Sequence, residues 1–187
     1  EDGCLRVDVI TFCSRTQPAL ALQEVRLTVD RPCPVTLQAH IDLRGLDGRF
    51  IYRCMPDRKQ DGVVYWESRG GLSTIGASYA SELIGDDRES KRRNDYGHEK
   101  DRMLTEYRIA AQPGQRYAMR QIGALVPDLM HGEPHWQAAR LVMAGAWSGY
   151  DEVREDNRAA WADLWKGRPV LIGADDSGRV HEVGVAV

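Results

Sequence analysis

His131 and His135 stand four residues apart with Glu133 between them, a spacing that on one helix face could hold a divalent metal. Pro134 falls inside that spacing, so the two imidazoles need not share a face, and no metal site is expected. Paired carboxylates could run acid–base chemistry on a glycosidic bond. The acids of this chain, however, fall on polar strand faces, in one charged loop or along an amphipathic helix, where solvation is their ordinary state. The sequence contains no G-x-S-x-G, no Gly-rich phosphate loop and no H-E-x-x-H. Its most site-like patch is Trp66, with Tyr65 beside it and Arg69-Gly70-Gly71 just after. An aromatic face stacks well on a sugar ring, and adjacent glycines let a backbone approach closely. The competing reading puts Trp66 in the core of a strand-built domain, and both stay open here. No catalytic residue is expected.

Period-two alternation runs through the first two-thirds of the chain. Leu5, Val7, Val9 and Cys13 share one parity; Val25, Leu27 and Val29 alternate with Glu24, Arg26, Thr28 and Asp30. The cleanest case is Val35, Leu37, Ala39, Ile41 and Leu43 against Thr36, Gln38, His40 and Asp42. Such patterns suit half-buried antiparallel strands, whose successive side chains point to opposite faces. Further strands are predicted over 48–54, 63–68, 74–83, 103–111 and 117–125, with Pro113-Gly114 as the turn between the last two. About eight strands with no helix between them argue for an antiparallel sandwich. Residues 86–102 carry twelve charges of mixed sign in seventeen positions and read as a solvated hairpin tip or loop. The triplet Lys91-Arg92-Arg93 within it reads as surface.

Beyond Pro127 the period changes. Ala138, Leu141, Val142 and Gly145 recur at helical spacing, ending near Gly149. A second helix is predicted with Asp151 as its N-cap and Gly167 past its end. Its apolar stripe is Tyr150, Val153, Ala160, Trp161, Leu164 and Trp165. Trp161 and Trp165, one turn apart, need a surface to pack on, either the sandwich or another domain. A short strand from Pro169, a turn near Asp175–Gly178 and an apolar tail close the chain.

Composition excludes several classes. With a net charge of −3 there is no basic footprint for nucleic acid, and no apolar run is long enough to span a membrane. Cys4, Cys13, Cys33 and Cys54 form no C-x-x-C pair and read as buried, reduced thiols of a cytoplasmic protein.

Two stretches carry a family resemblance. Thr11-Phe12-Cys13-Ser14-Arg15 with Ala19–Val29, and the segment from Tyr150 to Ile172 containing Glu155-Asp156-Asn157-Arg158-Ala159-Ala160-Trp161-Ala162-Asp163-Leu164-Trp165, resemble the N-terminal domain and junction helix of glycoside hydrolase family 65. Pro113-Gly114 and the strand through Ile122 sit where that family has a hairpin before its helices. The resemblance implies part of a β-super-sandwich over 1–127, linker helices over 128–168, and a short strand with a divergent tail over 169–187. It further implies a parent enzyme, an α-glucoside phosphorylase or hydrolase acting on disaccharides such as maltose or trehalose. The catalytic glutamate would lie in an (α/α)6 barrel outside this sequence. That barrel is the implied partner of the chain and binds the sugar and inorganic phosphate; no cofactor is implied, and a homodimer is. Trp161 and Trp165 are then the docking residues. An independent carbohydrate-binding or protein-docking module, with Trp66 and Arg69 on its platform, is the alternative. After Asp176 the family continues into an aromatic-rich barrel helix, whereas this chain reads Ser177-Gly178-Arg179-Val180-His181-Glu182-Val183.

Overall fold

The computed structural model describes residues 3–54, 60–85, 91–95, 102–129, 131–166, 170–174 and 180–183. Nine strands come first: β1 (Leu5–Cys13), β2 (Leu20–Val29), β3 (Cys33–Asp42), β4 (Gly48–Cys54), β5 (Gly62–Ser68), β6 (Thr74–Ile84), β7 (Lys91–Asp95), β8 (Arg102–Ala111) and β9 (Tyr117–Pro127). Helices α1 (Pro134–Ser148) and α2 (Tyr150–Trp165) follow, then a two-stranded pair, β10 (Val170–Ala174) and β11 (Val180–Val183). The architecture is the expected antiparallel sandwich followed by a helical pair. Among the described residues no helix is long and apolar enough to cross a membrane.

One sheet has six strands in the order β1-β2-β9-β6-β5-β4, and the other has three, β3-β8-β7. The alternating residues of β2, β3, β8 and β9 meet between them. Leu27, Val29, Ile109, Ala111 and Tyr117 form one cluster, and Ala39, Val64, Tyr79, Met103, Tyr107 and Met119 another. The two largest fully buried side chains, Tyr79 and Tyr117, keep their hydroxyls bonded: Tyr79 to Thr105 Oγ1 at 3.1 Å, Tyr117 to the Gln112 N–H at 3.1 Å. Pro34 is tolerated in β3 because β3 is an edge strand, where a missing N–H removes no ladder bond. The Pro113-Gly114 turn forms as predicted, with Gly114 at φ 81° and the Gln115 N–H on the Gln112 carbonyl.

The three-stranded sheet is too narrow to cover its partner. Leu5, Val7 and Val9 on β1 share the inner face with Val29, Leu27 and Val25 but lie beyond β3 and stay exposed. The opposite, outer face of the large sheet carries the helices. There Leu20, Leu22, Ile122, Ala124 and Val126 pack against Ala138, Val142, Tyr150 and Val153.

Several expectations are corrected. Lys91–Asp95 is not loop but strand β7, paired along β8 from Lys91↔Arg108 to Asp95↔Leu104; the flanking residues 86–90 and 96–101 lie outside the described residues. Mixed charge does not prevent an edge strand, which needs only a backbone ladder on one side. Cys4 and Cys13 are free thiols but exposed, because β1 is the uncovered edge; Cys33 is half-buried, and the side chain of Cys54 lies outside the described set. Asp151 is not the N-cap of α2; Gly149 is, and Asp151 serves another purpose.

Candidate functional site

Helix α1 is seated by small residues. Pro134 opens it, where a missing N–H costs nothing, and Ala138, Ala139, Val142 and Gly145 are its buried face. It lies across β5, β6 and β9. The approach is closest at Gly76 of β6, where an added Cβ would fall 2.1 Å from the His135 nitrogen and the Pro134 carbonyl carbon. No side chain other than hydrogen fits there. Asp128 holds the connection into the helix, accepting from the Thr74 N–H at 2.9 Å, Ser73 Oγ at 2.8 Å and Thr74 Oγ1 at 3.0 Å. The Thr74 N–H, then the Ser73 hydroxyl, keep its carboxyl below the usual carboxylate range. His135 stacks on Tyr65 with centroids 4.4 Å apart. Burial pushes its pKa down, partly offset by the Glu133 charge.

Gly149, at φ 94°, turns the chain from α1 into α2. Tyr150 and Val153, on the first turn of α2, are buried on the sheet beside Leu20 and Leu22. Beneath them runs a charged seam. Glu24 of β2, 1 % exposed, accepts from Arg120 Nε at 2.6 Å and from Arg26 Nε at 2.5 Å. Arg120 extends both terminal nitrogens to the Asp151 carboxylate at 2.9 and 3.1 Å, and its guanidinium lies 4.7 Å from the Tyr150 ring centroid. Burial alone would raise the Glu24 pKa; the hydrogen bonds from Arg120 and Arg26 outweigh it and hold the carboxyl below its usual range. Burial, then the nearby Glu24 charge, raises the Tyr150 pKa. The seam is a bidentate, charge-assisted link from sheet to helix.

Farther along, α2 is held by the β1–β2 turn. Asn157, buried at 9 % exposure, accepts the Arg15 N–H through Oδ1 at 2.8 Å. Arg15 in turn lies over Trp161, 5.1 Å from its centroid. The turn is itself pinned by Ser14, whose N–H reaches the Leu20 carbonyl and whose hydroxyl accepts the Gln17 N–H. Trp161 and Trp165 remain 38 % and 40 % exposed, and the buried positions of α2 end at Asn157.

The other sequence candidates lie apart from this face. Trp66 packs at the rim of the inter-sheet cluster and closes over Gly48, whose added Cβ would fall 2.1 Å from its ring. Arg69 is exposed on a short 3-10 turn and reaches Asp47 at 3.4 Å, while Gly70 and Gly71 adopt φ 78° and 69°. His131 accepts the Glu133 N–H through Nδ1 at 3.2 Å. Among the described residues no group of three His, Cys, Asp or Glu side chains gathers as a metal site.

The model of "Glycosyl hydrolase family 65, N-terminal domain" matches residues 1–164. The chain belongs to that family. Among solved structures it is similar to "Putative kojibiose phosphorylase from human microbiome", with a TM-score of 0.72 and 9 % identity, over 93 % of this chain and 24 % of that one. At that identity the likeness is one of fold. The chain thus spans about a quarter of the length of that phosphorylase. No curated protein sequence matches it.

Within this family 65 N-terminal domain, the sequence reading named Trp161 and Trp165 but missed the residues that set them in place. Glu24 reads as a solvent-facing partner of Val25 and Leu27. Leu20 and Leu22, on the same parity as Glu24, are the signal that this face is also covered. Asn157 and Arg15 are 142 positions apart, and no local pattern links them.

Proposed function

We propose that this domain is a non-catalytic support for a larger family 65 enzyme, a phosphorylase or hydrolase of α-glucosidic disaccharides such as maltose or trehalose. In this reading α1 is welded to the sandwich and α2 presents Trp161 and Trp165 to the catalytic barrel of the parent chain. The observation that carries it is the half-exposure of these two tryptophans on the part of α2 that lies beyond its buried residues. A pair of aromatic side chains one turn apart is a large apolar surface to leave in water, and tryptophan is enriched where interfaces draw their energy. The disaccharide and inorganic phosphate that react would be bound by the barrel.

The test is an assay of the parent protein, extended past this domain, beside this chain alone. Each is incubated with maltose, trehalose, kojibiose and nigerose, with and without phosphate. Phosphate-dependent release of glucose 1-phosphate by the longer protein only is expected of a phosphorylase, and phosphate-independent release of glucose of a hydrolase. A longer protein inert on every sugar overturns the reading.

A further inference from the structure

Two depressions in the sandwich surface differ in what their side chains have left to offer. The larger, about 510 Å³ on the outer face of the six-stranded sheet, is lined by Arg6, Arg26, Arg116 and Arg120 with Asp8 and Glu24. Its cations are largely spent: Arg26 and Arg120 on Glu24, Arg6 on Asp8 at 3.3 Å. The smaller, about 310 Å³, lies on the inner face where the three-stranded sheet stops short. It is lined by Thr11, Gln23, Gln121, Gln38, His40 and Gly123, with no carboxylate, lysine or arginine.

The strand registers explain this groove. Thr11 pairs with Gln23, Gln23 with Gln121 and Gln121 with Ser81, so one polar row crosses four neighbouring strands. In the next row Ala21 pairs with Gly123, leaving a floor almost without side chains. A glycine within a strand often marks the close approach of a ligand or another backbone. Within the row the Gln23 amide donates to Thr11 Oγ1 at 3.0 Å and keeps its carbonyl acceptor, whereas Gln38 on the edge strand β3 turns its amide to Glu106 on the outward face of the small sheet. Gln121 makes no side-chain hydrogen bond among the described residues and keeps donors and acceptor alike.

From this we infer a binding site for a neutral saccharide on the inner face of the sandwich, recognised by the Gln23 and Gln121 amides over Gly123. A charged ligand would find no carboxylate, lysine or arginine among the lining residues, and an apolar one would strip water from two amides without repayment. A polyhydroxylated ring offers paired donors and acceptors, and its flat side can lie on the glycine floor. The cavity is at the lower end of the size range of small-molecule sites, about 300 Å³. The site does not depend on the support role proposed above.

The test titrates this chain with maltose, trehalose and maltohexaose by NMR, comparing wild type with Gln121→Ala and Gly123→Val. Binding with a Kd on the order of 1 mM is expected, with shifts clustered at Gln23, Gln121 and Gly123. Gln121→Ala should weaken it about tenfold, and Gly123→Val should abolish it by filling the floor. The Gly123 position has room, its added Cβ lying 3.8 Å from the nearest atom, and valine suits a strand, so the fold should persist on circular dichroism. Preference for maltohexaose over maltose would identify a glucan chain as the ligand, and equal affinity a free disaccharide. Absence of binding, unchanged affinity in both variants, or shifts centred on Trp66 would overturn the inference. An inert longer enzyme would leave a positive titration standing, and a failed titration would leave the support role standing.

Discussion

Helices α1 and α2 are consecutive, 15 and 16 residues long, and each leaves two tryptophans exposed, yet the sheet holds their backbones differently. The α1 helix is buried through Ala138, Ala139, Val142 and Gly145, small residues that let its backbone descend onto Gly76. The α2 helix buries Tyr150, Val153 and Asn157, and its large aromatic pair stays half in water. Close approach, not side-chain size, decides which helix belongs to the sandwich. The residues with the most apolar area are those left for something else. Four substitutions test that division.

The largest effect is expected at the seam that joins the start of α2 to the sheet. Glu24→Gln removes the charge that Arg120 and Arg26 share and leaves Arg120, only 16 % exposed, without its buried counter-ion. A loss of about 3 kcal/mol is expected in urea unfolding, since breaking a buried pair from one side is costly and leaves Arg120 to the solvent-exposed Asp151. The pH dependence has a definite sign. The Glu24 pKa is lowered in the fold, so its stabilisation is complete above the unfolded value of about 4.3 and disappears as pH falls through the folded value. Wild-type stability should therefore fall more steeply below about pH 4 than that of the Gln variant. Parallel curves would mean that Glu24 is not ionised in the fold.

Next comes the seat of α1. Gly76→Ala places a methyl group against backbone that cannot swing aside, and about 2 kcal/mol should be lost. Amide exchange along Ala138–Gly145 should quicken as the helix lifts. If stability is unchanged, α1 is not fixed by close approach and the contrast with α2 fails.

How much of this was readable beforehand differs by residue. The strands through Val25–Val29 and Val35–Leu43, the Pro113-Gly114 turn and the helical spacing of Ala138, Leu141, Val142 and Gly145 were visible, because alternation, helical period and turn chemistry act between neighbours. The Trp161/Trp165 stripe was visible for the same reason. Invisible were Gly76, which looks like any strand glycine until a helix lies on it, and Glu24, whose burial depends on helices more than 100 residues later. The tail of alternation in β1 predicted its inner face but not its exposure, which follows from the width of the opposite sheet.

A smaller effect is expected where α2 is tethered to the β1–β2 turn. Asn157→Ala leaves the Arg15 N–H without its acceptor, and about 1 kcal/mol should go. Amide exchange at Arg15 should quicken while that of α1 stays unchanged. Coupled loosening of both helices would show them to be one unit.

The smallest effect on this chain, and the most informative, is expected from Trp161→Ala combined with Trp165→Ala. Both rings are more than a third exposed, and the interaction seen at Trp161 is a stacked Arg15 at a solvated site, a contact of about 0.5–1 kcal/mol. Thermal unfolding of the isolated chain should therefore shift less than for Asn157→Ala. If the tryptophans are an interface, the same pair should matter far more once the rest of the protein is present. Buried tryptophans at the centre of an interface cost about 2 kcal/mol or more each on truncation. In the longer protein the double variant should then lower the melting temperature and the disaccharide activity together, with its sandwich still folded. Equal, small effects in both settings would mean that α2 ends in water by design and docks on nothing. A large loss already in the isolated chain would mean that the tryptophans belong to the domain's own core, and the division between the two helices would dissolve.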